Sequence, residues 1–189
     1  HNIKNIPNGL LLRVVGGVMA LSNIVQNWKS AKTPIPTRLS RKNIILAWLG
    51  AFLATLAFTM ATDFLKTPLI LGSFGASCLL VFAYPTSPFA QPRNVIGGHF
   101  VASLTGLVVM SLLGVSAFSM AIAVATAIML MLLLKVPHPP AGSNPLIVML
   151  SMANWDFLWT PTLFGSIILI LVALVYNNYG KERAYPIYW

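Results

Sequence analysis

The chain has 189 residues, 57% of them hydrophobic and only 8% charged, with 12 Lys and Arg against 3 Asp and Glu for a formal net charge of +9. So few charges cannot cover a soluble globule of this size, and so much apolar content is incompatible with a disordered chain. The single cysteine, Cys78, excludes an internal disulfide and a cysteine-based zinc cluster, which leaves a small integral membrane protein.

The chain begins at His1, which reads as a processed start. Residues 1–43 form a separate N-terminal region. Within it Leu11, Val14, Val18, Leu21, Val25 and Trp28 recur at helical spacing, with Arg13, Ala20, Asn23 and Asn27 opposite. That pattern is an amphipathic interfacial helix, with a signal peptide as the rival reading, and Pro34 and Pro36 end it. Lys29, Lys32, Arg38, Arg41 and Lys42 gather before the first apolar run, and Lys181 and Arg183 follow the last, in a tail of residues 181–189. The positive-inside rule then puts both termini in the cytoplasm, with an even number of crossings, and the bacterial inner membrane as the expected setting. The basic excess therefore belongs to membrane lipids, not to nucleic acid.

Between these ends lies a transmembrane domain over 44–180. No Asp, Glu, Lys or Arg occurs in the 41 residues between Arg93 and Lys135. About 20 apolar residues span a hydrocarbon core of roughly 30 Å, a length met by segments near 44–62, 95–114, 116–134 and 161–179. Two shorter segments, near 69–84 and 140–154, are interrupted by Gly, Pro and Ser. The expected fold is thus an all-α membrane protein, a helical bundle of four long spans plus two short broken or re-entrant helices. Gly98, Ala102 and Gly106 share one helix face, as do Ala117, Ala121 and Ala125, and both stripes read as close-packing surfaces.

Lys66-Thr67-Pro68 matches Lys135-Val136-Pro137, Gly72-Ser73 matches Gly142-Ser143, and Pro92 matches Pro161, at offsets of 69 to 70 residues. The chain reads as two units of long, short, long helix, about 44–114 and 116–179. Crossing short segments give two inverted three-helix repeats, the arrangement expected here. Re-entrant ones give parallel repeats with four crossings.

Polar residues within the spans are expensive and mark candidate sites. Pro137-His138-Pro139-Pro140-Ala141-Gly142-Ser143-Asn144-Pro145 cannot continue a helix but suits the first turn of the next one. Backbone N–H groups of Gly142, Ser143 and Asn144 would then face an anion, and Ser73, Gly75 and Ser77 would do the same in the first short segment. Arg93, followed by Asn94, heads a long span, where its guanidinium could bind an anion or hold a loop carbonyl. His99 and Ser103 share a face four residues apart; His99 is either a functional group or a structural hydrogen bonder.

His138-Pro139-Pro140 with Ala141-Gly142, Phe74-Gly75-Ala76-Ser77, and Gln91-Pro92-Arg93-Asn94-Val95-Ile96-Gly97-Gly98-His99 together resemble the HPP family of integral membrane proteins, over roughly residues 40–180. The resemblance implies four membrane spans and, from members implicated in nitrite transport, a small inorganic anion as substrate. Two departures, Ser73 and the run Ser143-Asn144-Pro145, bear on substrate more than on fold. The expected function is transport of a monovalent anion, nitrite first among them, with Ser73, Gly75, Ser77, Arg93, Asn94, His99, His138, Gly142, Ser143 and Asn144 lining the route. No cofactor or catalytic metal is expected, and small-residue faces favour a homo-oligomer. A non-transporting membrane scaffold is the alternative. An intramembrane enzyme is disfavoured because the His and Asp residues lack a ligand spacing such as His-Glu-x-x-His.

Overall fold

The computed structural model describes residues 37–179 and 184–189. The amphipathic pattern of residues 11–28, Lys29, Lys32, Lys181 and Arg183 lie outside them. Leu39–Trp189 forms one contact unit. Its described residues are helical or irregular, with no strand among them.

Helix α1 (Arg41–Leu65) starts where the Ser40 side chain accepts from the Asn43 amide, and it ends at Lys66, which turns left-handed with φ of 53°. Its 25 residues give about 37 Å at 1.5 Å per residue, more than a hydrocarbon core needs. It buries only Gly50, Ala54 and Phe58, one stripe at i, i+4, i+8, and leaves Trp48 and Phe52 stacked on its outer face. Lipid, not water, suits that face. An irregular stretch follows, pinned where the Leu69 amide donates to the Thr62 hydroxyl at 3.1 Å. Helix α2 (Phe74–Cys78) then continues through one π-turn over Leu79–Ala83.

After a 3-10 turn at Pro88–Ala90, helix α3 (Pro92–Leu113) opens with proline in its first turn, where no amide proton is missed, and closes at Gly114 with φ of 65°. Helix α4 (Ala117–Leu133) begins with a reciprocal cap in which Ser116 and Ser119 each bond the other's backbone N–H. Lys135 then adopts φ of 57°, the same left-handed turn as Lys66. A 3-10 turn at Pro139–Ser143 leads into the seven-residue helix α5 (Asn144–Leu150). The last pass starts with 3-10 and π-turns over Trp155–Leu158 and Trp159–Leu163, broken at Thr160, and becomes regular in α6 (Phe164–Asn178).

Contacts fix the direction of each pass. Tyr176 of α6 donates its hydroxyl to the Leu46 carbonyl near the head of α1 (2.6 Å), and Asn177 donates to the Val81 carbonyl within the π-turn that follows α2 (3.1 Å). The C-terminal tail returns to the loop before α3: the Tyr185 hydroxyl donates to the Ala90 carbonyl (2.8 Å) and the Ile187 amide to Gln91 Oε1 (2.9 Å). Burial raises the Tyr185 hydroxyl above the ordinary tyrosine range, so this donor keeps its proton. Arg93, at the head of α3, reaches the Leu134 carbonyl beyond α4. The heads of α1 and α3 and the ends of α2, α4 and α6 therefore share one end of the bundle. At the other end, Val109 and Met110 pack with Met120 and Ala123 of α4 and Met149 of α5.

Among the described residues three helices, Arg41–Leu65, Pro92–Leu113 and Trp155–Asn178, are long and apolar enough to cross a membrane, and Ala117–Leu133 is a shorter apolar helix. The Gly98, Ala102, Gly106 stripe does pack closely: a side chain on Gly98 would meet His138, and one on Gly106 would meet Pro145 and Val148. The second stripe lies on the outside of the single chain: Ala117, Ala121 and Ala125 are exposed, and the buried face of α4 is Ser119, Ala123, Ala127 and Met131.

Glycine marks one contact that no larger residue can share. A Cβ on Gly165 would stand 2.6 Å from the Leu69 carbonyl oxygen and 2.5 Å from the Phe74 ring. Backbone yields little, so Gly165→Ala is expected to cost about 1–3 kcal/mol. Gly142 has open space around its Cβ position, and Gly142→Ala should change stability by no more than about 0.5 kcal/mol. Melting temperatures of the two variants in detergent check the contrast; equal losses would contradict the packing described.

Candidate functional site

Half-way along the bundle, polar side chains from α2, α3, α5, the His138 loop and the break before α6 meet in one hydrogen-bonded cluster. Ser77 stands at its centre. Its Oγ lies 2.9 Å from Nε2 of His99 and 2.8 Å from Nε2 of His138. The two imidazoles are 4.9 Å apart, centre to centre, and Phe74 closes on His99 edge-on at 5.0 Å. His138 is held from behind by the Phe89 carbonyl, 2.7 Å from Nδ1.

Asn144 closes the other side. Its Nδ2 lies 3.0 Å from Nδ1 of His99 and donates to Ser103 Oγ at 3.0 Å. Its Oδ1 accepts from the Ser73 hydroxyl at 2.7 Å. Thr162 adds a donor to Ser103 at 2.9 Å. All seven side chains are buried, and His99, Ser77, Ser103, Asn144 and Thr162 are wholly so. Local sequence explains the assembly. Ser73 and Asn144 stand where two short helices begin, and His99 and Ser103 are one helical turn apart on α3. Thr162 sits just past the point where the last pass leaves helical geometry.

Of the ten residues expected to line a site, the structure brings together Ser73, Ser77, His99, His138 and Asn144. Gly75 and Ser143 are exposed, Gly142 is half-buried, and the Ser143 hydroxyl is used locally, donating to the Pro140 carbonyl. Arg93 is exposed and its Nη2 donates to the Leu134 carbonyl at 3.4 Å, so it holds a loop at the bundle end. Asn94 is buried but serves the same end, donating to the carbonyls of Pro88 (2.9 Å) and Pro137 (3.2 Å) and to the Tyr188 hydroxyl (3.3 Å). Ser73 and Asn144, from the two short segments, touch directly. Ser103 belongs to the cluster, as its shared face with His99 allowed. Thr162 was missed, and the adjacent Pro161, which interrupts an otherwise apolar run, was the available signal.

The cluster carries no fixed charge. Asp63 and Asp156 lie on the exposed surface, and no group of three His, Cys, Asp or Glu among the described residues could hold a metal. What the arrangement offers is a set of neutral donors and acceptors, buried between helices, with two imidazoles that can gain or lose a proton.

Long apolar helices around a buried polar centre define a helical integral membrane protein. The chain belongs to the HPP family: the family's pattern, described as HPP, transmembrane region, matches residues 36–186. It is similar to two transmembrane proteins of Dictyostelium discoideum. One is 33% identical over 199 residues, covering 99% of this chain and 63% of the relative. The other is 37% identical over 174 residues, covering 85% of this chain and 60% of the relative. The chain thus spans about three-fifths of the length of these relatives. No solved structure matches it.

Proposed function

We infer that this protein transports a small monovalent anion across the membrane by way of the Ser77–His99–His138–Asn144 cluster, with nitrite the first substrate to test. The observation that carries this reading is the cluster itself. Seven polar side chains are withdrawn from water at the middle of an apolar bundle, where each is expensive unless it serves folding or passage. Four of them, Ser73, Ser77, His138 and Asn144, come from the two short, interrupted passes, the place where irregular backbone in a membrane protein commonly lines a route. Hydroxyl, amide and imidazole N–H donors suit an anion, whereas a cation route calls for carboxylates.

The proposed architecture is six passes in two inverted three-pass units, about 44–114 and 116–179. In support, Lys66 and Lys135 close the first helix of each unit with the same left-handed turn. Ser73 and Ser143 precede equivalent short helices, and the end-to-end contacts alternate in direction from pass to pass. Outward-facing Ala117, Ala121 and Ala125 offer a second copy a close-packing face, in keeping with a homo-oligomer. Both termini are proposed to face the cytoplasm of a bacterial inner membrane, since exposed Arg41 and Lys42 head α1 at the end of the bundle where α6 finishes. Labelling single cysteines placed at Ser40 and at Tyr188 in intact cells should leave both unmodified by an impermeant reagent. Modification of one alone would mean an odd number of crossings.

Purified protein in liposomes should take up labelled nitrite faster than protein-free vesicles, with formate, nitrate and chloride measured alongside. Uptake of none of the four would remove the transport reading.

A further inference from the structure

The hydrogen bonds at the cluster fix where each proton sits. A carbonyl oxygen only accepts, so Nδ1 of His138 carries the proton facing Phe89, and in a neutral ring Nε2 must then accept. Its donor is the Ser77 hydroxyl. That hydroxyl has one proton, so towards His99 the serine oxygen accepts, and His99 carries its proton on Nε2. Nδ1 of His99 is left to accept from the Asn144 amide, whose oxygen is held by Ser73. Every group is satisfied with both rings neutral, and the tautomers follow from the network rather than from observed hydrogens.

The same geometry has room for one more proton, at one place. Ser77 Oγ also lies 3.2 Å from the Ser73 carbonyl, one helical turn back. If His138 Nε2 gains a proton, the serine hydroxyl can turn to that carbonyl, and its oxygen then accepts from both imidazoles. Protonating Nδ1 of His99 instead would set two N–H groups against each other across 3.0 Å. The groups facing the two rings are Phe74, Ser77 and the Ser73 carbonyl from α2, Gly98 and Ser103 from α3, Asn144 from α5, and the Phe89 carbonyl. Beyond them stand Phe58 of α1, against Phe74, and Thr162, against Ser103. Among the described residues none of these is charged, and the only titratable partner of each ring is the other. Cys78 belongs to the apolar core, and Arg93 bonds outward.

We propose that the protein is a proton–anion symporter, in which one proton rides on Nε2 of His138 with each anion while the Ser77 hydroxyl switches from that nitrogen to the Ser73 carbonyl. This rests on the transport reading above. The proton is taken from water at one membrane face, forms the Nε2–H bond, and returns to water at the other face; no other bond is made or broken. The imidazolium supplies the positive charge that an anion needs in a low-dielectric site where no Lys or Arg side chain among the described residues is buried. A second positive ring at His99 would lie 4.9 Å from the first, centre to centre, which limits the cluster to one added proton.

The test uses the full chain in liposomes clamped with potassium and valinomycin, with nitrite and internal pH followed together and the permeation of nitrous acid through protein-free vesicles subtracted. The proposal expects one proton per nitrite, no response to membrane potential, and about tenfold accumulation for a one-unit pH gradient, the equilibrium of an electroneutral one-to-one couple. Nitrite flux that follows potential and moves no proton would overturn the coupling and leave transport standing. Absence of nitrite flux would overturn the transport reading and the coupling with it. Independently of flux, nitrogen NMR of histidine-labelled protein with nitrite, with the His1 signal identified by its loss in His1→Gln, should show one of the two cluster rings doubly protonated on acidification, assigned as His138 by its loss in His138→Gln. Double protonation of His99 first, or of both rings together, would overturn the assignment.

Discussion

Replacing Asn144 with leucine is expected to lower the stability of the folded protein by about 2–5 kcal/mol, the largest effect of any single substitution in the cluster. Leucine fits the volume but has no donor or acceptor. Asn144 is wholly buried, and its amide is shared among Ser73, His99 and Ser103. Its loss strands the Ser73 hydroxyl and Nδ1 of His99 away from water, at about 1–3 kcal/mol for each unsatisfied group. Part of that cost is recovered where an unfolded chain in lipid also finds partners, which keeps the figure below the top of the summed range. Ser143→Ala, one residue earlier, removes only an exposed local bond to Pro140 and should cost no more than about 0.5 kcal/mol. Thermal melting of both variants in one detergent measures the difference. Equal melting temperatures would mean that Asn144 does not hold the cluster together.

The long helices were legible because a charged residue cannot be placed cheaply in a hydrocarbon core, so uncharged runs mark them directly. Segments 44–62, 95–114, 116–134 and 161–179 all fall on helices, each reaching within a few residues of the expected bounds except where the last begins earlier, at Trp155. Short segments were harder. Their helices begin later than the apolar runs do, at Phe74 and Asn144, because the residues before them, Thr67-Pro68 and Pro137-His138, prefer extended backbone. The cluster was half legible. Ser73, Ser77, His99, His138 and Asn144 were marked by the cost of polar groups in an apolar run, and they do converge. Arg93 drew notice for its charge, yet a guanidinium at a helix head satisfies itself on the nearest open carbonyl, here Leu134. Thr162 was hidden because threonine in a helix usually bonds its own backbone; only the break at Thr160 frees its hydroxyl for Ser103. Periodicity marked the alanine stripe of α4 as a face without saying which way it turns, and in the single chain it turns outward.

A neutral, fully paired cluster also bears on how a route could open. Direct contacts between Ser73 and Asn144, and between Ser77 and both histidines, leave the side chains touching. A passing anion must therefore replace these bonds with its own, and the donors that can turn toward it are the Ser77 hydroxyl and the N–H bonds of the imidazoles. Substitutions that keep packing and hydrogen bonds but remove titration should then separate folding from passage. His138→Gln is such a change, because its amide can still donate toward the Phe89 carbonyl and accept from Ser77, yet cannot hold an added proton.

The central claim is that anions cross through this cluster and not past the charged residue at the bundle end. Nitrite uptake normalised to folded protein in liposomes, measured side by side for the unaltered chain, His138→Gln and Arg93→Gln, tests it most directly. The account predicts at least a tenfold loss for His138→Gln, about 1.4 kcal/mol or more in the barrier, and a rate within twofold of the unaltered chain for Arg93→Gln. An undiminished rate in His138→Gln, or a tenfold loss confined to Arg93→Gln, would contradict it.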